Sequence, residues 1–490
     1  MNSIITAVYL FLLLFFHFLY LFDSSGNQFG VYSISIGLTL LFVLTCIRLN
    51  CKRRPQIYKN IANASYILLV GLLIVNFQTI ANTIVGFAPI SYYLNSYDYS
   101  LYTGKVTFMS CMAVCSMVWA HSVYNPKKKI IKNDIYINVG NLWIYLSLAA
   151  FIAFLLHINV SFFISGEDYF NSGGYDREIK SYAVYEVLFD VFNTISLASI
   201  IKRNSSYRIQ NFFEFIKKLP WIYTAINCIY VFLRLVSGDR GPVIYTLLMF
   251  FFAFIYMTKI RLKPILIVLL GIIAIFSIAM LNVMRSEDSS LNLTDRILYG
   301  LQDRQGKIEQ NSISPYTQEL ASSVNCNFIA INDIHKGKTD YKYGQYSFLQ
   351  LLGAIPGFSS IYQKFFGANY MGSGEYITRS YSGNYYSYGL GTTPVAELYL
   401  DFGCIGVILG FILIGIVYKH VDYKLLSKRD SSMISLILFL KFASMCIYLP
   451  RSSLFFIATK GFYIVFFYMS ITLILSLFSK KVINSNKITL

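Results

Sequence analysis

The organisation of this chain is decided by a long stretch that begins RSEDSSLNLTDRILYG (residues 285–300) and ends GNYYSYGLGTTP (residues 383–394). Its 110 residues contain no apolar run able to cross a bilayer, which takes about 20 residues. The rest of the chain is one apolar run after another. Loops longer than about 15 residues are usually functional or disordered, and the helical patterning and dense aromatics here predict a folded, functional loop.

Composition indicates the class of protein. Hydrophobic residues make up 56% of the chain and charged residues only 13%, whereas a soluble protein carries about 25% charged residues. The net charge of +17 does not indicate nucleic-acid binding, because the basic residues fall in short clusters between apolar runs. The sequence therefore predicts an all-α polytopic membrane protein, with no nucleic acid among its partners.

Twelve apolar runs have the length and composition of membrane-spanning helices. They are residues 4–22, 31–47, 61–85, 106–124, 135–164, 182–201, 219–236, 242–258, 264–284, 395–418, 432–449 and 453–478. These runs divide the chain into a scaffold of nine spans (1–284), the long loop (285–394), and three further spans followed by a short tail (395–490).

Lys and Arg residues set the predicted orientation. One set of connections, together with the C-terminal tail, holds 24 of these residues, whereas the opposite set of short connections holds 5. Because the more basic connections stay in the cytoplasm, both termini are predicted to be cytoplasmic and the long loop to lie outside.

Four segments of the long loop have recognisable patterns. Residues 291–301 are amphipathic, and Ser314-Pro315 predicts the start of a helix that continues to about Asn332. Residues 348–366 are apolar but interrupted by glycine and proline, so we expect them to lie in the membrane interface. Residues 369–393 are rich in Gly, Ser, Asn and Tyr, which is typical of a flexible loop or of a sugar-binding surface.

No motif for a bound cofactor is present in the sequence. It has no Walker loop, no dinucleotide-binding glycine signature, no zinc-ligand spacing and no Asp-x-Asp pair. These absences argue against an ATPase, a metalloprotease and a nucleotide-sugar transferase. We therefore predict an activity that uses no metal or other cofactor.

Basic residues at the outer ends of predicted spans run against the general charge distribution. They are Arg234, Arg240, Arg285, Arg451 and Lys460. A basic residue within a span costs about 2.5–3.5 kcal/mol, and guanidinium groups match phosphate oxygens two at a time. The group therefore predicts a site for a lipid-linked phosphate or diphosphate, with Arg240 and Arg285 catalytic and the other three binding substrate. Ion pairs with carboxylates are the alternative for each residue.

Acidic and histidine side chains on the outer side are candidates for acid–base chemistry. Glu397 and Asp401 lie one helical turn apart at the outer end of the tenth span. Glu397 is predicted to be a general base and Asp401 to contact substrate, with interaction at the helix N-terminus or with an arginine as the alternative. His335, the one histidine of the long loop, is a second candidate for the base, or a surface histidine.

Tyrosines of segment 369–393 are candidates for sugar binding. Tyr376, Tyr381 and Tyr386 are predicted to stack on the CH faces of sugar rings, while neighbouring short polar side chains bond to hydroxyl groups. A flexible, solvated loop has the same composition, so that interpretation stays open.

Four motifs are similar to those of a known family. They are Tyr343-Gly-Gln-Tyr-Ser-Phe-Leu349, Ala354-Ile-Pro356, Ala396-Glu-Leu-Tyr-Leu-Asp-Phe-Gly-Cys-Ile-Gly406 and Ser237-Gly-Asp-Arg-Gly241. Together they resemble the O-antigen polymerase (Wzy) family, over about residues 200–490. Carried over by position, Arg240 falls on the family's Gly-x-Arg turn and Glu397 on its Glu-x-Tyr stretch.

The resemblance implies both a fold and an activity. The implied fold is a helical core similar to that of lipid-linked (GT-C type) glycosyltransferases, with the long loop as the main periplasmic loop. The implied activity is metal-independent joining of oligosaccharide repeat units, carried on undecaprenyl diphosphate, at the periplasmic face of the bacterial inner membrane. The implied partners are this lipid-linked oligosaccharide, membrane lipid and a chain-length regulator (co-polymerase).

Two other functions fit a protein of this plan. A lipid-linked oligosaccharide flippase also has about twelve spans and buried cations, but it places its charges near the bilayer midplane and does not require so long an outer loop. An O-antigen ligase has a similar architecture and differs in its acceptor. The acceptor therefore decides between polymerase and ligase.

Overall fold

The computed structural model describes residues 2–23, 28–53, 63–94, 97–126, 139–157, 181–204, 209, 211–236, 240–258, 312–314, 317–355, 358, 372–383, 389–427 and 432–485. Over these ranges the chain forms α-helices and short 3-10 turns, with no β-strand. Seven of the helices are long and apolar enough to cross a membrane, and four others are apolar but shorter. The chain is therefore a multi-pass, helical membrane protein.

The helices follow one another along the chain in three groups. The first comprises α1 (Asn2–Phe22), α2 (Phe29–Arg53), α3 (Ala64–Val85), α4 (Ile90–Leu94), α5 (Tyr97–Ser100), α6 (Thr103–Val123) and α7 (Leu142–His157). The second comprises α8 (Ser181–Arg203), α9 (Phe212–Lys218), α10 (Trp221–Val236) and α11 (Arg240–Met257). The third comprises α12 (Gln318–Ala321), α13 (Asn325–His335), α14 (Gln345–Leu352), α15 (Ser373–Ser382), α16 (Pro394–Ser427), α17 (Met433–Ser444) and α18 (Phe456–Ser485).

Helix α6 is the centre of the first bundle. It packs against α1, α2, α3 and α16, and 89% of the residues in its most apolar part are buried inside the protein. Its sequence explains this position, because Ser110, Cys111, Ala113 and Cys115 are small and allow neighbouring backbones to approach closely. Helix α16 contributes Gly415 to this contact: a Cβ added there would lie 2.3 Å from the carbonyl oxygen of Met117 in α6.

Helix α16 has a break that sets the direction of its outer end. Gly403 has φ +64° and ψ −153°, a conformation that residues with a Cβ rarely adopt. The break separates a short N-terminal segment, which carries Glu397 and Asp401, from the long segment that packs on α6. Exposed apolar side chains follow one face of the long segment at helical spacing, as expected for contact with lipid: Ile405, Leu409 and Leu413.

A second group of helices packs beside the first. Helix α8 contacts α7, α11, α17 and α18, and α10 contacts α7 and α11. An aromatic cluster between α7, α8 and α10 is built from Phe151, Phe154, Phe189 and Tyr230. The ring centroids of Phe189 and Tyr230 are 4.8 Å apart, so this group is held by close ring contacts as well as by its apolar surface.

The described part of the long loop is folded against α3, α6 and α16. Of the helix predicted to start at Ser314-Pro315, residues 315 and 316 lie outside the described residues; α-helix is present from Gln318 and, with one 3-10 turn, reaches His335. The described residues just before it bond to α3: the Gln78 side-chain amide donates to the Ser314 carbonyl, and the Thr317 hydroxyl donates to Gln78 Oε1.

The tyrosine-rich segment contains a helix that the sequence reading did not anticipate. Helix α15 covers Ser373–Ser382 and is supported by an ion pair between Glu375 and Arg379, one turn apart. Of the apolar segment 348–366, the described residues include the end of α14, which stops at Leu352. The amphipathic segment 291–301 lies outside the described residues.

Eleven of the twelve predicted spans coincide with apolar helices of the structure, seven with long helices and four with the shorter ones. The ninth, residues 264–284, lies outside the described residues, as do residues 285–311 at the start of the long loop. The total of twelve spans and the division at residues 284 and 394 therefore stay predictions.

Candidate active site

A cavity of about 190 Å³ lies between α8, α10, α11, α17 and α18. Charged and aromatic side chains line it together, among them Glu186, Asp190, Tyr230, Tyr245, Lys441 and Lys460. We call this space the charged cavity. Charged groups are costly within a bilayer and usually mark a functional site, so it is the strongest candidate site in the described residues.

Asp190 and Lys441 form an ion pair in the wall of the cavity. The Lys441 ammonium donates to both carboxylate oxygens of Asp190, at 2.8 and 2.6 Å. The Lys441 side chain is only 2% exposed, whereas that of Asp190 is 32% exposed. Both residues line the cavity, and Asp190 is the more exposed member of the pair.

Glu186 lies one turn before Asp190 on the same face of α8. Its Oε1 accepts from the Tyr230 hydroxyl at 2.7 Å and contacts the Arg234 guanidinium in an ion pair. Arg234 is buried and lies against the rings of Phe154 and Tyr230, at 5.4 and 5.8 Å. For Arg234 the structure thus shows the carboxylate pairing that was the alternative to phosphate binding.

Lys460 faces the same cavity from the second turn of α18. Its ammonium lies 5.7 Å from the ring centroid of Phe456. Among the residues that the structure describes, this ammonium has no hydrogen-bond or ion-pair partner. It is therefore a cation available to an anionic ligand in the cavity.

Two further predicted cations lie close to the cavity along the chain. Arg240 is the first residue of α11, two residues before Pro242, which lines the cavity. Arg451 ends a 3-10 turn and follows Tyr448, whose ring packs on the cavity residue Tyr245 at 6.4 Å. The predicted catalytic residue Arg285 lies outside the described residues.

Glu397 is buried and connects three segments of the chain. Its side chain accepts from the Ser373 hydroxyl at 2.6 Å and from the Leu454 backbone N–H at 3.1 Å. Ser373 begins α15, and Leu454 precedes α18. Glu397, which is 1% exposed, therefore anchors the loop helix α15 and the turn before α18 to the start of α16.

Asp401 is fully buried and caps a different helix from its own. Its carboxylate accepts from the backbone N–H groups of Tyr346 and Ser347, at 3.1 and 2.9 Å, and from the Ser347 hydroxyl at 2.6 Å. These N–H groups belong to the first turn of α14, which lacks partners within the helix. The predicted contact of Asp401 with substrate stays a prediction, and its capping of α14 was not anticipated from the sequence.

His335 ends α13 and lies away from the charged cavity. Its Nε2 atom is 3.2 Å from the Lys105 ammonium, and its ring stacks on Tyr102 with centroids 5.5 Å apart. Burial, and secondarily the positive charge of Lys105, lower the pKa of His335 from its usual value. The imidazole is thus held neutral near pH 7, and its role as a base stays a prediction.

The described tyrosines of segment 369–393 support the packing of the loop. The Tyr376 hydroxyl donates to Asp333 at 3.1 Å, and burial followed by the Asp333 charge raises the pKa of Tyr376. Tyr381 stacks on Tyr99 with centroids 6.4 Å apart. Tyr386 lies outside the described residues, and sugar stacking by the three stays a prediction.

Glu186, Asp190 and Lys441 were missed as site residues. The signal for them was present, because each is a charged residue inside an apolar run and such residues are costly there. The predicted phosphate site was built from cations near the outer ends of spans, and it therefore includes neither the carboxylates of α8 nor the mid-span lysine of α17.

A family model described as O-antigen polysaccharide polymerase Wzy matches residues 4–482, nearly the whole chain. No curated protein and no solved structure matches the chain. The family match covers every helix that lines the charged cavity.

Proposed function

Because the chain belongs to the O-antigen polysaccharide polymerase Wzy family, we propose that it polymerises oligosaccharide repeat units carried on undecaprenyl diphosphate. The family acts on lipid-linked oligosaccharide in membranes, and an enzymatic, glycosyltransferase-like role follows from membership. The proposal adds the carrier lipid, the diphosphate leaving group and a site for the reaction. A chain-length regulator is proposed as a further partner.

The proposed topology places the site at the outer face. The chain would cross the bacterial inner membrane twelve times with both termini in the cytoplasm, in an arrangement similar to GT-C glycosyltransferases. In that orientation α8 enters the membrane from outside, so Glu186 and Asp190 lie in its outer turns. Lys460 lies in the outer turns of α18, so the charged cavity opens in the outer half of the bilayer.

The observation that carries the proposal is the charged cavity with the ammonium of Lys460, which has no hydrogen-bond or ion-pair partner among the described residues. A headgroup phosphate bound there would leave its polyprenyl tail in the surrounding bilayer. A cavity of about 190 Å³ is smaller than the ~300–1,000 Å³ of pockets for drug-sized ligands. It therefore suits a headgroup with one sugar ring and not a whole oligosaccharide, which would extend towards the long loop.

The proposed reaction is a displacement at the anomeric carbon of the donor sugar. The acceptor hydroxyl oxygen forms the new bond, and the bond to the diphosphate breaks with its electron pair on the leaving oxygen. Positive groups fixed near that oxygen stabilise the developing charge. We assign this role to Lys460 with Arg240, Arg285 and Arg451, while Arg234 acts indirectly by holding Glu186.

The diphosphate linkage supplies the driving force, so the proposed reaction needs no nucleotide. The loop residues are proposed to hold the sugars: Tyr376, Tyr381 and Tyr386 by stacking, and Glu397, Asp401 and His335 around the acceptor. For Glu397 and Asp401 the contacts described above support an indirect part in which they position α15 and α14.

The test is a reaction with purified protein in lipid nanodiscs and synthetic lipid-linked repeat units. We expect a ladder of longer lipid-linked products without added nucleotide sugar, and a loss of more than tenfold in rate for Lys460→Ala. Transfer only to a lipid A-type acceptor would indicate a ligase. Movement of intact substrate across vesicles without lengthening would indicate a flippase, and either result would overturn the proposal.

A further inference from the structure

We propose that Asp190 is the catalytic group that takes the proton from the acceptor hydroxyl. The inference rests on the proposed function, and it assigns a residue on α8 that the sequence motifs do not include. A general base must lie within hydrogen-bond reach of the proton that it removes. Of the carboxylates considered so far, Asp190 meets the geometric requirements for this role most closely.

The surroundings of Asp190 leave part of its carboxylate free. A carboxylate has about four lone-pair sites, and Lys441 occupies one on each oxygen. The Asp190 side chain is 32% exposed and lines the charged cavity, whereas that of Lys441 is 2% exposed. Lys441 therefore fixes the orientation of the carboxylate without closing it to a substrate hydroxyl.

Asp190 also lies beside the cation assigned to the leaving group. Both Asp190 and Lys460 line the charged cavity. A displacement needs the attacking hydroxyl and the leaving diphosphate on either side of one sugar ring. A base and a cation in the walls of a cavity of about 190 Å³ meet that requirement.

The other candidates fit this role less well. Both oxygens of Glu397 accept hydrogen bonds and its side chain is 1% exposed. His335 contacts Lys105 and Tyr102 outside the charged cavity. Glu186 is held by Arg234, whose charge is permanent, and by the Tyr230 hydroxyl, so its charge is neutralised more firmly.

The proton and electron balance of the step is complete. The hydroxyl oxygen bonds to the anomeric carbon while its proton moves to an Asp190 oxygen, and the diphosphate leaves with the electron pair of the broken bond. Protonation of Asp190 leaves Lys441 with a neutral partner for one turnover. The proton then passes to water in the cavity, which restores the ion pair.

The experiment compares Asp190→Asn with the double variant Asp190→Asn/Lys441→Gln in nanodiscs at matched protein levels. General base catalysis contributes about 10²–10⁴-fold, so we expect Asp190→Asn to lose at least a hundredfold in polymerisation rate. The double variant removes the unpaired lysine charge as well as the base, and we expect it to stay inactive. Asp340→Asn, at an exposed loop position, is the matched control and should retain the wild-type rate.

The readouts separate catalysis from structure. Binding of the lipid-linked donor, measured by photo-crosslinking, should change less than threefold in Asp190→Asn, and Asp190→Glu should regain part of the rate with a shifted pH profile. Recovery of activity in the double variant would show that Asp190 only balances Lys441, and would overturn the inference. If the wild-type protein and Asp190→Asn lengthen chains at the same rate, the role of Asp190 is wrong and the proposed function stands. If the wild-type protein does not lengthen chains, the proposed function is wrong.

Discussion

Replacing Asp401 by alanine tests whether this carboxylate is a cap or a ligand. In the structure it accepts three hydrogen bonds, all from the first turn of α14. Loss of an N-cap costs about 0.5–2 kcal/mol, and a hydrogen bond to a charged group is worth about 1.5–3 kcal/mol. Because the three bonds are not additive, we expect the docked state of α14 to lose about 2–3 kcal/mol.

The assay is hydrogen exchange of the α14 amides in nanodiscs. A loss of about 2–3 kcal/mol lowers protection by about 30- to 150-fold, since 1.4 kcal/mol is a factor of ten. Ser347→Ala removes one of the three bonds and should have a smaller effect, about fivefold for a loss of 1 kcal/mol. Unchanged protection in Asp401→Ala together with lost polymerisation would refute the capping role and favour direct contact with substrate.

Three further predictions concern other parts of the molecule. Lys460→Arg should retain most of the activity and Lys460→Ala should raise KM for the donor at least tenfold, because the positive charge is what the phosphate requires; equal KM values would contradict that role. Lys105→Gln should raise the pKa of His335, measured by NMR titration, since Lys105 contributes to lowering it. The lowered pKa of His335 also predicts that the folded protein loses stability as the pH falls below the pKa that this histidine has in the unfolded chain, because the unfolded state then binds more protons than the folded state. A cysteine placed at Lys338, whose side chain is 49% exposed, should react with an impermeant thiol reagent added to spheroplasts. A cysteine placed at the exposed Lys217 should react only after lysis, and the reverse pattern would show the opposite topology.

The outer segment of α16 illustrates how far motif reading reaches. Glu397 and Asp401 were identified as a pair on one helix face, and the structure confirms that both are buried. Their partners lie 24 and 57 residues away for Glu397 and 54 and 55 residues away for Asp401. Spacing along one helix cannot reveal such partners, because they come from other segments folded over it.

The charged cavity shows the same limit for the site. Arg234, Arg240 and Lys460 were chosen for their position near the outer ends of spans. In the structure Lys460 lines the cavity, Arg234 pairs with the cavity residue Glu186, and Arg240 begins the helix whose third residue, Pro242, lines the cavity. The carboxylates opposite them were not anticipated. Whether a basic residue is paired depends on which face of the neighbouring helix points towards it.

The sequence by itself determined the class of the protein, the positions of its apolar helices and the family to which it belongs. Those properties follow from hydropathy and motifs, which are sums over neighbouring residues and need no knowledge of the fold. Only the tertiary structure decided that Lys441 pairs with Asp190, 251 residues away, and that Lys460 lines the same cavity with no hydrogen-bond or ion-pair partner among the described residues. Ion pairing within a bundle depends on the rotation of each helix about its axis, and that rotation is set by the packing of all its neighbours together.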